Sequence, residues 1–596
     1  MNQKDVSTLQ AARTQRWIIA EPSPSGEVER LSKDLSIPPS VSRILLQRGI
    51  DTFDKAKAFF RPSLELLNDP FLMDGMDQAT ERILRALKTR ERFFVFGDYD
   101  VDGTNGASML ALFLREIGAE VREYVPYRIK EGYGVSRRGI DLAHSLGATL
   151  FISIDCGITA VSQVDYAREL GMDFIICDHH EVGGSLPNAF AVLDPLKPGD
   201  SYPFKGLCGC GVGFKLIQGL AQKLGRQDIL QTYLEFVTLA TTADIVPLNS
   251  ENRILVKIGL ERLNKNPRPG IRALIESAGL PLGRITAGHI VFALAPRINA
   301  VGRLGDAMRA VRLLTSADPE ESRDLARILE EENMQRRRID EETFVQAQEL
   351  ADQSWIVSPL PAIVLHRHDW HPGVVGIVAS RMSEKYYRPS IMMTTVDGVA
   401  KGSARSVPGF DVYRALKRCE NTLIQFGGHK YAAGLTAEIT RVDEFREAFM
   451  AVVDETMPEE LRTPAVRIDT EVRLSELTPR FVRILKEFAP FGPGNARPTF
   501  LCRDLELAGS PRIVGKNHLR FRAKQDGVTF DAIGFGLGYF LQEVEQARGR
   551  KDIQCVFSID ESDHPGPSGG SGEGMVQLKI KDIRTRADDA ASIPVA

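Results

Sequence analysis

Phe93-Phe94-Val95-Phe96-Gly97-Asp98-Tyr99-Asp100-Val101-Asp102-Gly103 runs from an apolar stretch directly into three alternating aspartates. An apolar run this short, bounded by turn chemistry, reads as a buried strand of a parallel sheet. The pattern returns twice: Phe151-Ile152-Ser153-Ile154 is followed by Asp155, and Phe174-Ile175-Ile176-Cys177 by Asp178-His179-His180-Glu181. Open parallel sheets bind ligands at the carboxyl ends of their strands, so these acids are expected to meet in one crevice. Carboxylates that close repel one another unless protons or cations intervene. An Asp/His set without cysteine suits Mn²⁺ or Mg²⁺ better than structural zinc. The expectation is a divalent-metal site for phosphoester chemistry.

Each motif also has a plainer reading. The three aspartates fail as a calcium loop, because the segment Thr104–Ile117 turns apolar and helical where further oxygen ligands are needed. Acids capping a helix N-terminus are the bland alternative. Neighbouring His179 and His180 point in different directions, so one can bind metal while the other faces substrate. Asp244 closes the helix-like Ala240-Thr241-Thr242-Ala243, an unfavourable end for an acid, which implies a compensating cation. Cys208-Gly209-Cys210-Gly211 has no second cysteine pair at zinc spacing. It reads as a glycine-rich entry to the helix Phe214–Leu224 that lets backbone approach backbone or phosphate. Arg297, Arg303, Arg336–Arg338 and Arg405 are candidates for a phosphate track, since guanidinium matches phosphate oxygens bidentately.

With 596 residues the chain exceeds one core and is expected to form about three to five domains. A composition of 43% hydrophobic and 26% charged residues is that of a globular protein, and no apolar run reaches the length of a membrane span. Seven cysteines are too sparse for a disulfide framework, and the first residues lack a signal-peptide core. A cytoplasmic protein is expected. A net charge of −4 argues against bulk adhesion to nucleic acid but not against a local basic channel.

Along the chain, residues 1–75 read as a peripheral N-terminal extension, and 76–316 as alternating strands and helices with a parallel sheet. Residues 317–354 hold a long polar helix with a thin apolar stripe (Leu325, Leu329, Ile339, Val345, Ala347, Leu350), suited to connecting domains. Strand–helix alternation returns in 355–458, and 459–587 read as a β-barrel. Its clearest strand, Asn517–Lys524, alternates Leu519, Phe521 and Ala523 with His518, Arg520, Arg522 and Lys524. The loop Asp563–Gly574 and the tail 588–596 are expected to be mobile.

The order of these motifs resembles the DHH phosphoesterase superfamily, specifically its single-strand-specific 5′-to-3′ exodeoxyribonucleases. The resemblance rests on Gly97–Gly103, Ile154-Asp155-Cys156-Gly157, Asp178-His179-His180, Thr242-Ala243-Asp244 and Pro296-Arg297-Ile298-Asn299-Ala300-Val301-Gly302-Arg303. It continues in Trp370-His371-Pro372-Gly373, Gly402-Ser403-Ala404-Arg405-Ser406 and Gly427-Gly428-His429. It implies an α/β parallel-sheet catalytic core, a long helix, a smaller α/β associated domain across a cleft, and a C-terminal OB-fold barrel. It implies hydrolysis with two Mn²⁺ or Mg²⁺ ions about 3.5–4 Å apart, bridged by Asp155. Asp98, Asp100, Asp102, His179 and Asp244 would complete the metal shells, Asp100 first among the three aspartates. Asp178 and His180 would belong to the catalytic set. Members usually carry a metal-binding histidine where this chain has Phe94. Arg297, Asn299, Arg303, Ser403, Arg405, Ser406 and His429 would hold the substrate. Arg520, Arg522 and stacking aromatics such as Phe521 would bind single-stranded DNA on the barrel. The resemblance implies a monomer in DNA repair and recombination, with a single-strand-binding protein and a helicase as partners. The rivals are another DHH phosphodiesterase or pyrophosphatase, which the extra barrel disfavours, and a non-catalytic replication scaffold, which the complete acid/histidine set disfavours.

Overall fold

In a computed structural model, residues 15–132, 134–355, 359–562 and 575–585 are described. The loop 563–574 and the tail 588–596 lie outside them. The chain divides into two compact units. Among the described residues the first runs from Leu67 to Val246 and from Ser250 to Pro464, and the second combines 15–66 with Pro247–Asn249 and the residues from Ala465.

The first unit is built on the apolar runs. β1 (Arg92–Gly97), β2 (Glu120–Tyr124), β3 (Ala148–Ile154), β4 (Asp173–Cys177) and β5 (Ala191–Leu193) form an all-parallel sheet in the order β2-β1-β3-β4-β5. Gly97 is in register with Ile154, and Ile154 with Cys177, so Asp98, Asp155 and Asp178 leave the sheet at one level. Stacked rings beneath them, Phe94 on Phe151 at 5.3 Å and Phe151 on Phe174 at 4.5 Å, fix that register by packing. Phe94 is fully buried in this layer, which accounts for an aromatic at that position.

After Leu193 the alternation expected through residue 316 stops. Among the described residues no further strand occurs before Ile363. The apolar segments there are helical instead: α2 (Gly209–Leu224) and α3 (Leu234–Ala243) join α1 (Val101–Glu116), and α4 (Ala295–Leu304) follows. Helices apolar on nearly every face belong in a core, and α1, α2 and α3 are buried along most of their length.

α5 (Pro319–Trp355) buries Leu325, Ala326 and Leu329 near its start. Near its end Ala347 and Ala351 pack with Ile363, Trp370 and Val378 of the associated domain. One helix thus serves two cores, although Val345 of the expected stripe is exposed. The associated domain holds β6 (Ile363–Arg367), α6 (Val375–Tyr386), β7 (Ser390–Val396), β8 (Val399–Arg405), β9 (Gln425–His429) and β10 (Ala432–Glu438). Its sheet order is β9-β10-β8-β7-β6, parallel only between β6 and β7.

In the second unit, strands Phe500–Leu507, Ile553–Ser562, Met575–Thr585, Val528–Gly534 and His518–Gln525 follow one another around a barrel. Pairing of Leu507 with Ala523 closes it. The reading of residues 1–75 as a peripheral extension is corrected here. Leu31, Val41, Ile44 and Leu45 share one core with Phe481, Phe500, Phe521 and Phe557. The strand Arg16–Ile19 pairs in parallel with Ala465–Ile468. Phe521 is only 3% exposed, so it fills the barrel and is not a stacking surface.

Candidate metal centre and the neighbouring arginines

Each acid reaches the crevice for a local reason. Asp100 is the N-cap of α1, its Oδ1 accepting from Asp102 N at 2.9 Å and Gly103 N at 3.2 Å. The chain turns so tightly that a Cβ on Gly103 would fall 2.3 Å from Asp98 N. Asp102 is aimed by α2: its two oxygens accept from Gly209 N at 2.6 Å and Cys210 N at 2.8 Å. A Cβ on Gly209 would lie 2.6 Å from Asp155 Cα, so the glycine-rich entry is a close backbone approach behind the acids. Asp155 itself takes a left-handed conformation, φ +63°, a strained state that Asp tolerates better than most residues. Asp244 is the C-cap of α3.

These side chains converge. His179 Nε2 stands 3.2 Å from Asp155 Oδ1 and 3.8 Å from both Asp102 Oδ2 and Asp244 Oδ2. Ligand atoms of Asp98, Asp100 and Asp155 form one compact group, and those of Asp102, His179 and Asp244 another, each within 4.8 Å. Asp155 also groups with His179 and His180. Burial first, then mutual repulsion, pushes the carboxyls of Asp98 and Asp155 well above the usual carboxylate range, and Asp244 likewise. Burial also raises Asp102.

The donor set fits divalent cations. Among the described residues Asp98 Oδ1 and His179 Nε2 are buried with no hydrogen-bond partner, a costly state that an ion would relieve. Burial lowers the pKa of His179, leaving a neutral ring suited to ligation. The neighbouring ring behaves in the opposite way. Burial opposes protonation of His180, but its 2.7 Å hydrogen bond to Asp178 Oδ1 outweighs that and raises it to about 9. Asp178, expected among the catalytic groups, has both oxygens engaged, by His180 and the backbone of His179 and by Ile158 N at 2.9 Å. Its bond to Nδ1 fixes the orientation of the His180 ring.

The substrate candidates divide. Arg303 and Arg405 are both held low by burial and then by a neighbouring guanidinium, Arg303 at about 10. Arg303 donates to Gly373 O at 3.2 Å and Arg405 to Ala404 O at 2.8 Å, and among the described residues neither has a carboxylate partner. The group acting on both is Arg128, which lies 4.8 Å over the Tyr99 ring and acts on Asp98 as well. Sequence reasoning missed Arg128. It sits on a single helical turn, Arg128–Glu131, that carries no motif. Ser403 flanks Arg405 at Gly376. His429 is exposed, its Nδ1 3.9 Å from Glu181.

Three candidates are otherwise engaged. Arg297 is buried, bound to Glu330 of α5 and to Ala293 O, and braces two helices. Asn299 accepts from Val101 N at 3.2 Å and so steadies the aspartate turn. Ser406 donates its hydroxyl to Phe410 O. On the barrel, Arg520 pairs with Asp531 at 3.4 Å, and exposed Arg522 bonds Ala508 O. All seven cysteines are buried and free.

Three family descriptions match in order: the DHH family, N-terminal domain, over residues 92–241, the DHHA1 domain over 352–455, and the RecJ OB domain over 468–582. The single-stranded-DNA-specific exonuclease RecJ of Bacillus subtilis (strain 168) is 36% identical, covering 92% of this chain and 69% of the relative. The chain belongs to the RecJ family. RecJ of Escherichia coli (strain K12) is 32% identical over 88% of this chain and 93% of the relative. The solved RecJ of Thermus thermophilus in complex with Mn²⁺ superposes with a TM-score of 0.81 at 28% identity, covering 98% of this chain and 80% of that one. The same RecJ has been solved with Mg²⁺. Among the described residues no helix is long and apolar enough to cross a membrane.

Proposed function

We propose that this chain degrades single-stranded DNA from its 5′ end to mononucleotides by divalent-metal-dependent hydrolysis. This reading is supported by a carboxylate/histidine cluster, in which Asp98 Oδ1 and His179 Nε2 are buried without a hydrogen bond among the described residues, lying beside arginines that have no carboxylate partner among those residues. Family membership gives the reaction class: the relatives are single-stranded-DNA-specific exonucleases. Asp98, Asp100 and Asp155 would hold one Mn²⁺ or Mg²⁺, and Asp102, His179 and Asp244 a second, with Asp155 shared. Two such ions supply Lewis acidity toward the phosphodiester and acidify a water.

The chain's own groups do the rest. Asp178 keeps His180 protonated and oriented, so that His180 offers a positive donor to a phosphate oxygen. Arg128, Arg303 and Arg405, with Ser403 beside them, bind a terminal 5′ phosphate, whose charge exceeds that of an internal diester. His429 lines the approach. Tyr99 supports Arg128 from beneath. A cleft between the catalytic and associated domains that is narrow enough for one strand would exclude duplex.

On the barrel, the bases stack on Phe535 in place of Phe521. Phe535 is 57% exposed and meets the His518 ring edge-on at 5.1 Å. Exposed Arg512 and Arg522, on two paired strands of the same sheet, would track the backbone. A cytoplasmic monomer working with a single-strand-binding protein and a helicase in repair and recombination suits this activity. The test uses 5′- and 3′-labelled single and double strands with Mn²⁺, Mg²⁺ or EDTA. Ordered loss of nucleotides from the 5′ end of single strands, abolished by EDTA, is expected. Release first from the 3′ end, or equal digestion of duplex, overturns the assignment.

A further inference from the structure

The catalytic unit contains a second convergence of guanidinium groups that shares no residue with the metal centre. A cavity of about 480 Å³ is lined by Arg262, Arg268, Arg272 and Arg323, with Asn266 and the single carboxylate Glu276 on its wall. Arg262 has a counter-charge behind it, Glu235 Oε1 at 3.4 Å. Arg323 reaches Glu320 only at 4.0 Å, and Arg272 is exposed with no ionic partner among the described residues.

Arg268 is the most constrained. Its guanidinium carbon lies 5.2 Å from the Phe236 ring and 5.6 Å from the Tyr233 ring, and Nη2 donates to Thr232 O at 3.2 Å. Its Nε is buried and has no hydrogen-bond partner among the described residues. A buried guanidinium N–H without an acceptor is expensive, and a side chain held by two rings cannot swing out to find one in solvent. Glu235 Oε2 accepts the Arg268 backbone N–H at 3.1 Å and acts on the guanidinium as well, so what is left open is Nε, for an acceptor arriving through the cavity that Arg268 lines.

We propose that this cavity binds a phosphate group. Arginine presents a planar fork that matches phosphate oxygens, and this wall uses arginine throughout, with no lysine. The volume lies within the range of small-ligand pockets and admits a whole nucleotide. The same chemistry is offered by free phosphate or a mononucleotide and by the backbone of a single strand passing over the catalytic unit.

The test compares the full chain with Arg268→Gln/Arg272→Gln and with Arg272→Gln alone, which alters only an exposed position and guards against misfolding of the double variant. Inorganic phosphate and deoxyadenosine 5′-monophosphate are titrated by equilibrium dialysis, and crystals are soaked in tungstate. We expect a tungsten peak between Arg268 and Arg272. We also expect a class of phosphate sites weakened about tenfold per guanidinium removed, while turnover of a short 5′-phosphorylated oligonucleotide is unchanged. Binding of a 30-nucleotide strand in EDTA separates the sources. A reduced salt slope in the variants assigns the site to the DNA backbone, and an unchanged slope with lost nucleotide binding assigns it to a free phosphate compound. Equal phosphate stoichiometry in all three proteins, or no tungsten in the cavity, overturns the proposal.

Discussion

His179 Nε2 faces Asp155 Oδ1 across 3.2 Å, and that pair joins the two carboxylate groups of the centre. Both residues lie just past the carboxyl ends of parallel strands whose register is set by ring stacking beneath the site. Removing the carboxylate from this pair therefore disturbs both groups at once. Asp155→Ala should lower hydrolysis by about 10²–10³ or more, while single-strand affinity in EDTA changes little. Near-normal turnover by the folded variant would remove Asp155 from the centre.

Arg128 is the test of end recognition. Arg128→Ala should reduce kcat/KM on 5′-phosphorylated single strands by about 10–100-fold. On 5′-hydroxyl strands it should have little effect. Equal losses on both substrates would mean that Arg128 acts on the metal centre generally.

Phe535→Ala should weaken single-strand binding about five- to 150-fold, the scale of one stacked base. Phe535→Trp should retain affinity. On strands with abasic sites at the barrel the wild type and Phe535→Ala should bind alike, because a merely structural effect would persist there. Arg522→Ala should instead lower the salt slope by about one unit, whatever the sequence.

Glu91 links pH to stability. Burial would raise its pKa, but hydrogen bonds from Arg82, Thr149 and Thr89 overcome this and hold it at about 2, below its ordinary 4.5. Its contribution is thus present above pH 4.5 and is lost as pH falls through 2. After solvent screening it amounts to about 1 kcal/mol. Urea melts should find Glu91→Gln less stable than wild type at pH 7, with the difference shrinking as pH falls from 4.5 and vanishing below 2.

The strand-end acids were legible because an apolar run and the turn after it are local, and the parallel sheet brings such ends level whatever lies between. Arg128 was not legible. Only sheet order and the turn after β2 carry it to Asp98, and its own sequence neighbours bear no pattern. Asn517–Lys524 announced two faces, and the inner one follows from its company: Phe521 shares a side with Leu519 and Ala523. Leu31, Val41 and Ile44 sit on two short helices, Ser25–Leu35 and Pro39–Gln47, and their barrel partners lie more than four hundred residues away, beyond any local signal.

That shared core decides how this enzyme can be cut down. A fragment beginning near residue 76 would not trim a loose leader. It would strip Leu31, Val41 and Ile44 from the barrel wall and invite aggregation of what remained. A soluble minimal nuclease must shed both ends together, everything before Leu67 and everything after Pro464. Even then Leu248, now 1% exposed and receiving its backbone hydrogen-bond acceptor from Pro493, would be left bare four residues beyond Asp244.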